Sequence, residues 1–342
     1  MGKSNLLQHL SDSEVQGYHM GSQAENFRAI IIDANMIGPL PTTGDTEQFR
    51  CWAGFELMMH RLLMAFYPLT ILEEDSERFL ESYHLLQDGT NPLHTYMALR
   101  YFETGLEYFM QRDIRIAFMF DEFEVMLNTL PVKFFQTLRG IRDAHKKQIM
   151  YLTFTRAPLS SLIANFDIPP LEIESFIELF TDNVHYIGPY NDLDAARMLD
   201  DLARRSNVDY PEPVRDLIAA VTGCYAGLLR ATFNALETIN NPNALMGLSV
   251  TKAAEFLIHQ APIETECRTI WTSLNPHEQY MLKVVARQTD FTNSSETERA
   301  IKMLGQKQLL RVLPAEQRLQ IEPPIFRIYV KKHNPEPTQE RS

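Results

Sequence analysis

Residues 114–120, Ile-Arg-Ile-Ala-Phe-Met-Phe, run directly into Asp121 and Glu122, and this junction limits the possible folds more than any other segment. A nearly continuous apolar run of this length fits a strand buried on both faces, and such strands belong to parallel sheets covered by helices. The acidic pair at its end has two readings. Glu124 follows, so the pair fits the acid-rich first turn of a helix, where the dipole stabilises carboxylates. It equally fits a pair of carboxylates held at the carboxyl edge of a sheet.

The surrounding pattern favours a sheet. Phe27 to Asp33 (FRAIIID) is a second apolar run ending in an acid, and Ile149 to Phe154 is a third. Between them, apolar residues at three- and four-residue spacing predict helices over Lys3 to Leu10, Glu47 to Tyr67, Leu93 to Met110 and Lys133 to Lys147. The Met and Phe stripe of 47–67 (Phe55, Met58, Met59, Leu62, Leu63) reads as core packing. Strands alternating with long helices predict an α/β fold with a mostly parallel sheet. Beyond Pro189 the pattern becomes helical, over Leu193 to Arg205, Pro213 to Val221 and Tyr225 to Ile239. Asn240 to Gly247 reads as a turn-rich linker before Ser249 to Gln260, and Ala261 to Glu264 as a boundary. The expected domains are 1–188, 189–260 and 261–333, with 334–342 a disordered tail.

Composition narrows the function. The 342 residues carry a formal net charge of −12, which opposes a chain wholly devoted to nucleic acid. From Glu264 to His333, however, eleven Lys or Arg stand against eight Asp or Glu, so any nucleic-acid contact belongs at that end. Cys51, Cys224 and Cys267 are odd in number and far apart, which fits reduced core thiols. No apolar run approaches the roughly 20 residues of a membrane span and no signal peptide is evident, so a soluble, cytoplasmic protein without membrane contact is expected. No histidine has metalloenzyme spacing, and no Gly-x-Ser-x-Gly elbow is present.

Three elements carry chemistry. Gly2-Lys3-Ser4-Asn5-Leu6-Leu7 matches the second half of the G-x-x-x-x-G-K-[ST] loop and its helix. In such a loop backbone N–H groups and the lysine hold phosphates while the hydroxyl binds Mg²⁺. The first glycine and its strand do not precede it, so the chain is expected to be truncated inside that loop. The strand ending in Asp121 and Glu122 matches a Walker B signature, with Asp121 suited to the Mg²⁺ shell and Glu122 to orienting or deprotonating water. After the third strand, Thr155-Arg156-Ala157-Pro158 brings an arginine to the carboxyl edge, where it either reaches a γ phosphate or caps the strand at the surface.

In this order the elements resemble P-loop ATPases of the AAA+/STAND group, especially archaeal-type ATPase domains and Orc/Cdc6-like proteins, over nearly the whole chain. The resemblance implies a P-loop sheet lacking its first strand, a helical lid and a C-terminal winged helix, with ATP and Mg²⁺ bound. Tyr186-Ile187-Gly188-Pro189-Tyr190 looks like the family's apolar-Pro element beside the adenine, which gives Pro189 a nucleotide contact. Thr222-Gly223-Cys224-Tyr225-Ala226 is similar to the lid's Thr-Gly-Gly-x-Pro turn, with Cys224 and Ala226 in place of the second glycine and the proline.

At the C-terminal end, Asn275, Pro276 and Glu278 form a capping-box signature. Helices over 276–285 and Glu296 to Leu304, then strands over Leu310 to Leu313 and Leu319 to Ile321 around a turn at 314–318, resemble a winged helix. Lys302, Lys307 and Arg311 face either phosphates or plain solvent. The expected function is an ATP-binding, ATP-hydrolysing switch that passes its nucleotide state to DNA or a partner protein, with oligomers allowed. The alternatives are a scaffold or interaction protein whose ATPase fold no longer turns over, and an Orc/Cdc6-like DNA-binding initiator.

Overall fold

The computed structural model describes residues 3–38, 46–67, 76–239, 245, 247–313 and 318–333. They divide into two compact units, Lys3–Val184 and the chain from His185 onward. The expected tail, most of the 240–247 linker and the turn at 314–317 lie outside the described residues.

The first unit runs α1 (Lys3–Ser11), α2 (Ser13–Met20), β1 (Phe27–Asp33), α3 (Thr46–Phe66), α4 (Ser76–Gln87), α5 (Pro92–Tyr96), α6 (Ala98–Met110) and β2 (Arg115–Asp121). It continues through α7 (Phe123–Thr129), α8 (Val132–Ala144), β3 (Ile149–Thr153), α9 (Leu159–Asn165) and α10 (Pro170–Ile177). The three strands are parallel in the order β1-β2-β3, with Asp33 opposite Asp121 and Phe120 opposite Thr153. The apolar run of β2 is therefore the central strand, its five interior residues all buried.

Side chains alternate across a strand, and the two faces of the sheet have different partners. Ile30, Ile32, Phe118, Phe120 and Tyr151 join a large aromatic core with residues of α3, α6, α7, α8 and α10. Ala29, Ile31, Met119 and Leu152 face the other way, with Phe154, and pack against Leu6, Leu7 and Leu10 of α1. Leu7 is 1% exposed, so one turn of packing fixes α1 against the sheet. The same parity puts Asp33 and Asp121 on the α1 side.

The helix expected over Leu93 to Met110 breaks at Met97 (φ −89°, ψ 2°) into α5 and α6. Asn91 caps α5 by accepting from the Leu93 N–H, and the Gln48 side chain, 47 residues away, donates to the Thr95 carbonyl at 2.9 Å. That tertiary bond takes an acceptor from the helix ladder. The stripes Phe79/Tyr83/Leu86 of α4, Leu162/Ile163 of α9 and Ile173/Phe176 of α10 are too brief to predict these helices, and they show as faces only once the core is assembled.

The second unit contains α11 (Asp192–Ser206), α12 (Glu212–Thr222), α13 (Ala226–Glu237), α14 (Val250–Leu257), α15 (Ala261–Thr272), α16 (Pro276–Arg287) and α17 (Ser295–Gln306). The antiparallel hairpin β4 (Leu310–Leu313) and β5 (Arg318–Ile321) and the helix α18 (Pro324–His333) complete it. One buried cluster runs through Val214, Leu228, Phe233, Ala253, Ile263, Cys267, Leu282, Leu304 and Phe326. Residues 261–264, expected as a boundary, form the first turn of α15, with Pro262 within that turn and Ile263 and Cys267 buried. The capping box at α16 is present in both directions, Glu278 N–H to Asn275 Oδ1 and Asn275 N–H to Glu278 Oε2, each at 2.9 Å. All three cysteines are buried free thiols.

Candidate functional site

Three segments of the first unit end at the carboxyl edge of the sheet. The first is the corner between β2 and α7. Asp121 closes β2, and its Oδ1 accepts from the Glu122 N–H at 3.0 Å. Glu122 has φ 47° and ψ 45°, a left-handed conformation that costs a non-glycine residue roughly 1 kcal/mol or more. Its neighbours hold it there. Phe123 is fully buried against Phe120, Phe135 and Phe176. The Phe123 N–H donates to the Phe154 carbonyl at 3.1 Å, and the Phe154 N–H donates to Phe120 at 2.9 Å. Burial of Phe123 turns the chain inward and leaves the Glu122 carboxylate at the edge.

The second segment is the exit from β3. Thr155 Oγ1 donates to the Ala157 carbonyl at 2.7 Å, a tight turn that carries Arg156 to the surface, 61% exposed. Its Nη2 donates to Glu122 Oε2 at 2.8 Å, and its Nε lies 3.4 Å from Glu124 Oε1. The third segment is the start of α1. There the Lys3 Nζ lies 3.6 Å from Glu122 Oε1, its side chain only 15% exposed. Among the described residues this buried ammonium has no hydrogen-bond partner.

The electrostatics are unusual in their imbalance. Lys3 and Arg156 stand against Glu122 and Glu124, with Asp121 and its register partner Asp33 at the neighbouring strand ends, so the acids outnumber the cations. Both Glu124 oxygens are buried without a hydrogen bond. Burial, and secondarily the Glu122 charge, raise its carboxyl above the ordinary range, against the lowering effects of its own backbone N–H, Lys3 and Arg156. A buried charge lacking hydrogen bonds is costly. An oxyanion placed between Lys3 and Arg156 would satisfy the ammonium, but the acids around it require an accompanying cation.

The structure thus draws together Lys3, Asp121, Glu122 and Arg156, from three places in the sequence. Gly2 lies outside the described residues; Ser4 and Asn5 are the second and third residues of α1, the Ser4 side chain outside what is described and Asn5 exposed. Pro189 belongs to the second unit, half-buried in the irregular stretch before α11. Two acids escaped the sequence reading as site residues. Glu124 figured only as a helix-start acid, and Asp33 stands opposite Asp121 in register, where its Oδ1 accepts from the Asn35 N–H at 2.9 Å. The available signal for Asp33 was that β1, like β2, is an apolar run ending in Asp. Among the described residues no group of three or more His, Cys, Asp or Glu is arranged to hold a metal ion. A cation here would need ligand oxygens from a substrate, as Mg²⁺ commonly has when bound with phosphates.

No protein-family model and no curated protein matches the chain. Among solved structures it is similar to the ORC2 protein of Aeropyrum pernix in its ADPNP-ADP complexes, at 14% identity and a TM-score of 0.48, over 97% of this chain and 84% of that one. The ADP form of the same protein gives 14% identity and a TM-score of 0.45, over 98% and 85%. A Walker-type ATPase of Pyrococcus abyssi is similar at 12% identity and a TM-score of 0.45, over 94% and 96%.

Proposed function

We propose that this chain is an ATP-binding and ATP-hydrolysing switch. The observation that carries this reading is the buried Lys3 ammonium, which has no hydrogen-bond partner among the described residues and lies at the carboxyl end of the central strand, 3.6 Å from Glu122. Phosphate oxygens supply what that group lacks. In this reading Gly2, Lys3, Ser4 and Asn5 hold the phosphates. Ser4 and Asp121 would hold Mg²⁺, which would neutralise phosphate charge.

Once Lys3 transfers to phosphate, Glu122 Oε1 becomes available to a water molecule, while Oε2 stays fixed by Arg156. Glu122 orients that water and accepts its proton. The water oxygen bonds to the γ phosphorus, the bond to the β–γ bridging oxygen breaks, and ADP and inorganic phosphate leave. Arg156 stabilises charge on the γ oxygens. The nucleotide state is then passed to the second unit, whose α15–α17 and β4–β5 we read as a winged helix following a helical lid formed by α11–α14.

For that module a protein partner is favoured over DNA. The first turn of α17 presents Glu296 and Glu298, both exposed, where a recognition helix for DNA carries donors. Lys307, a candidate phosphate contact from sequence, is bound to the buried Glu278 at 2.7 and 2.9 Å. Equilibrium binding of ATP with and without Mg²⁺, together with phosphate release, tests the switch; a purified protein that binds no nucleotide removes the reading. A salt titration with duplex DNA tests the module, and tight, salt-dependent binding returns it to DNA.

A further inference from the structure

Arg156 is held at two points. Nη2 meets Glu122 Oε2 at 2.8 Å and Nε meets Glu124 Oε1 at 3.4 Å. These two nitrogens share one edge of the planar guanidinium; the first contact is a hydrogen bond and the second an ion pair, so a carboxylate stands at each end of that edge and biases the plane as well as the position. Among the described residues Arg156 has no other ion-pair partner, and its side chain is 61% exposed. The end-on edge, with Nη1, is therefore left as a second fork.

Glu124 is unlike an ordinary helix-start acid. Both its oxygens are buried and neither accepts a hydrogen bond from a described residue, so its charge is compensated by nearby cations rather than by water. Such a carboxylate holds a neighbouring cation in place. Glu122 alone would tether Arg156 at one point and leave its plane free to turn.

We infer that Glu124 is a positioning residue: it sets the plane of Arg156 so that the end-on edge meets the terminal phosphate of a nucleoside triphosphate, and so makes the site prefer triphosphate to diphosphate. This rests on the ATPase reading above and specifies how the same site recognises its ligand. The geometry assigns Glu124 no contact with the nucleotide itself.

The test compares affinities for ADP and a non-hydrolysable ATP analogue, both with Mg²⁺, in the wild type, Arg156→Ala, Glu124→Gln and Glu124→Asp. The wild type is expected to favour the triphosphate, and Arg156→Ala to abolish the preference. Glu124→Gln should lower the ratio of triphosphate to diphosphate affinity about tenfold, which is about 1.4 kcal/mol. Retained ADP binding shows that the variant is folded, and a change of site charge or a general structural defect would move both ligands alike. Glu124→Asp, which keeps the charge on a shorter arm, should fall between, and it carries the test if the Gln variant does not fold. A wild-type preference in both Glu124 variants, with loss in Arg156→Ala, overturns the inference and leaves the ATPase reading intact. Failure of the wild type to bind either nucleotide overturns both.

Discussion

At the scale of single residues, Glu122 and Glu124 are chemically the same group in two different environments. Glu122 sits at a left-handed corner with one oxygen on Arg156 and the other near Lys3. Replacing it with Gln keeps the shape and removes the base. Hydrolysis in Glu122→Gln is expected to drop on the order of 10²–10⁴-fold, with Mg-ATP affinity changed little; phosphate release against equilibrium binding measures the separation, and equal turnover would refute the assigned base. Glu124 is governed by burial, which raises its carboxyl. The folded state then holds this proton more tightly than the unfolded state does, so the charged form opposes folding at neutral pH. The penalty is complete above the raised folded value and disappears below the unfolded value of about 4.3. Glu124→Gln lacks it. The melting temperature of the variant should exceed that of the wild type near neutral pH, and the gap should close as the pH falls toward that of an ordinary carboxyl; a gap independent of pH contradicts the assignment.

At the scale of elements, helix placement depends on close approaches and on caps. α3 lies so near α8 that a Cβ on Gly54 would stand 2.5 Å from the ring of the fully buried Phe134. A packed ring cannot yield that distance without moving its neighbours. Gly54→Ala should destabilise the first unit by about 1–3 kcal/mol, read as a lower denaturant midpoint at unchanged slope. In the second unit, Glu278 is 1% exposed and does two tasks, closing the α16 capping box and pairing with Lys307. Removing it strands a partly buried ammonium. Glu278→Ala should cost about 3–5 kcal/mol, whereas Asn275→Ala, which loses the cap alone, should cost about 0.5–2 kcal/mol. Comparable losses in the two variants would show that the ion pair adds nothing to the cap.

At the scale of the whole molecule, the charge balance around the site makes a prediction about ions. Asp33, Asp121, Glu122 and Glu124 outnumber Lys3 and Arg156 before any phosphate arrives, so nucleotide binding should require a divalent cation. Chelation of Mg²⁺ is expected to weaken ATP binding at least about tenfold, since an uncompensated like charge in a partly buried site costs 1 kcal/mol or more; calorimetry with and without chelator measures it. The second unit makes another. Its buried cluster is continuous from Val214 to Phe326, so a fragment ending at residue 260 would expose the inner faces of α12–α14. No helix among the described residues is long and apolar enough to cross a membrane.

Much of this was legible in the residues themselves. Apolar period and length place β1, β2 and β3, and the helices α1, α3, α8 and α11–α13, within a few residues of where they stand, because a buried strand or a one-sided helix must show its buried positions in sequence. The α16 capping box was legible for the same local reason. Lys3, Asp121, Glu122 and Arg156 could be singled out one at a time by their places at element ends. The break at Met97, the short helices α4, α9 and α10, and α18 were not legible, since their apolar stripes are brief and their partners lie far along the chain.

What the sequence alone determined is the parallel αβ pattern and the identity of the groups at the ends of its elements, both of which are local properties of spacing and side-chain chemistry. What only the tertiary structure decided is which charges share a site and what each one does there. Leu7 packing on Met119 and Phe154 brings an ammonium from the third residue to a carboxylate at position 122, and burial separates the behaviour of Glu124 from that of Glu122. Distance and desolvation arise only when the chain is folded, so residue spacing carries no record of them.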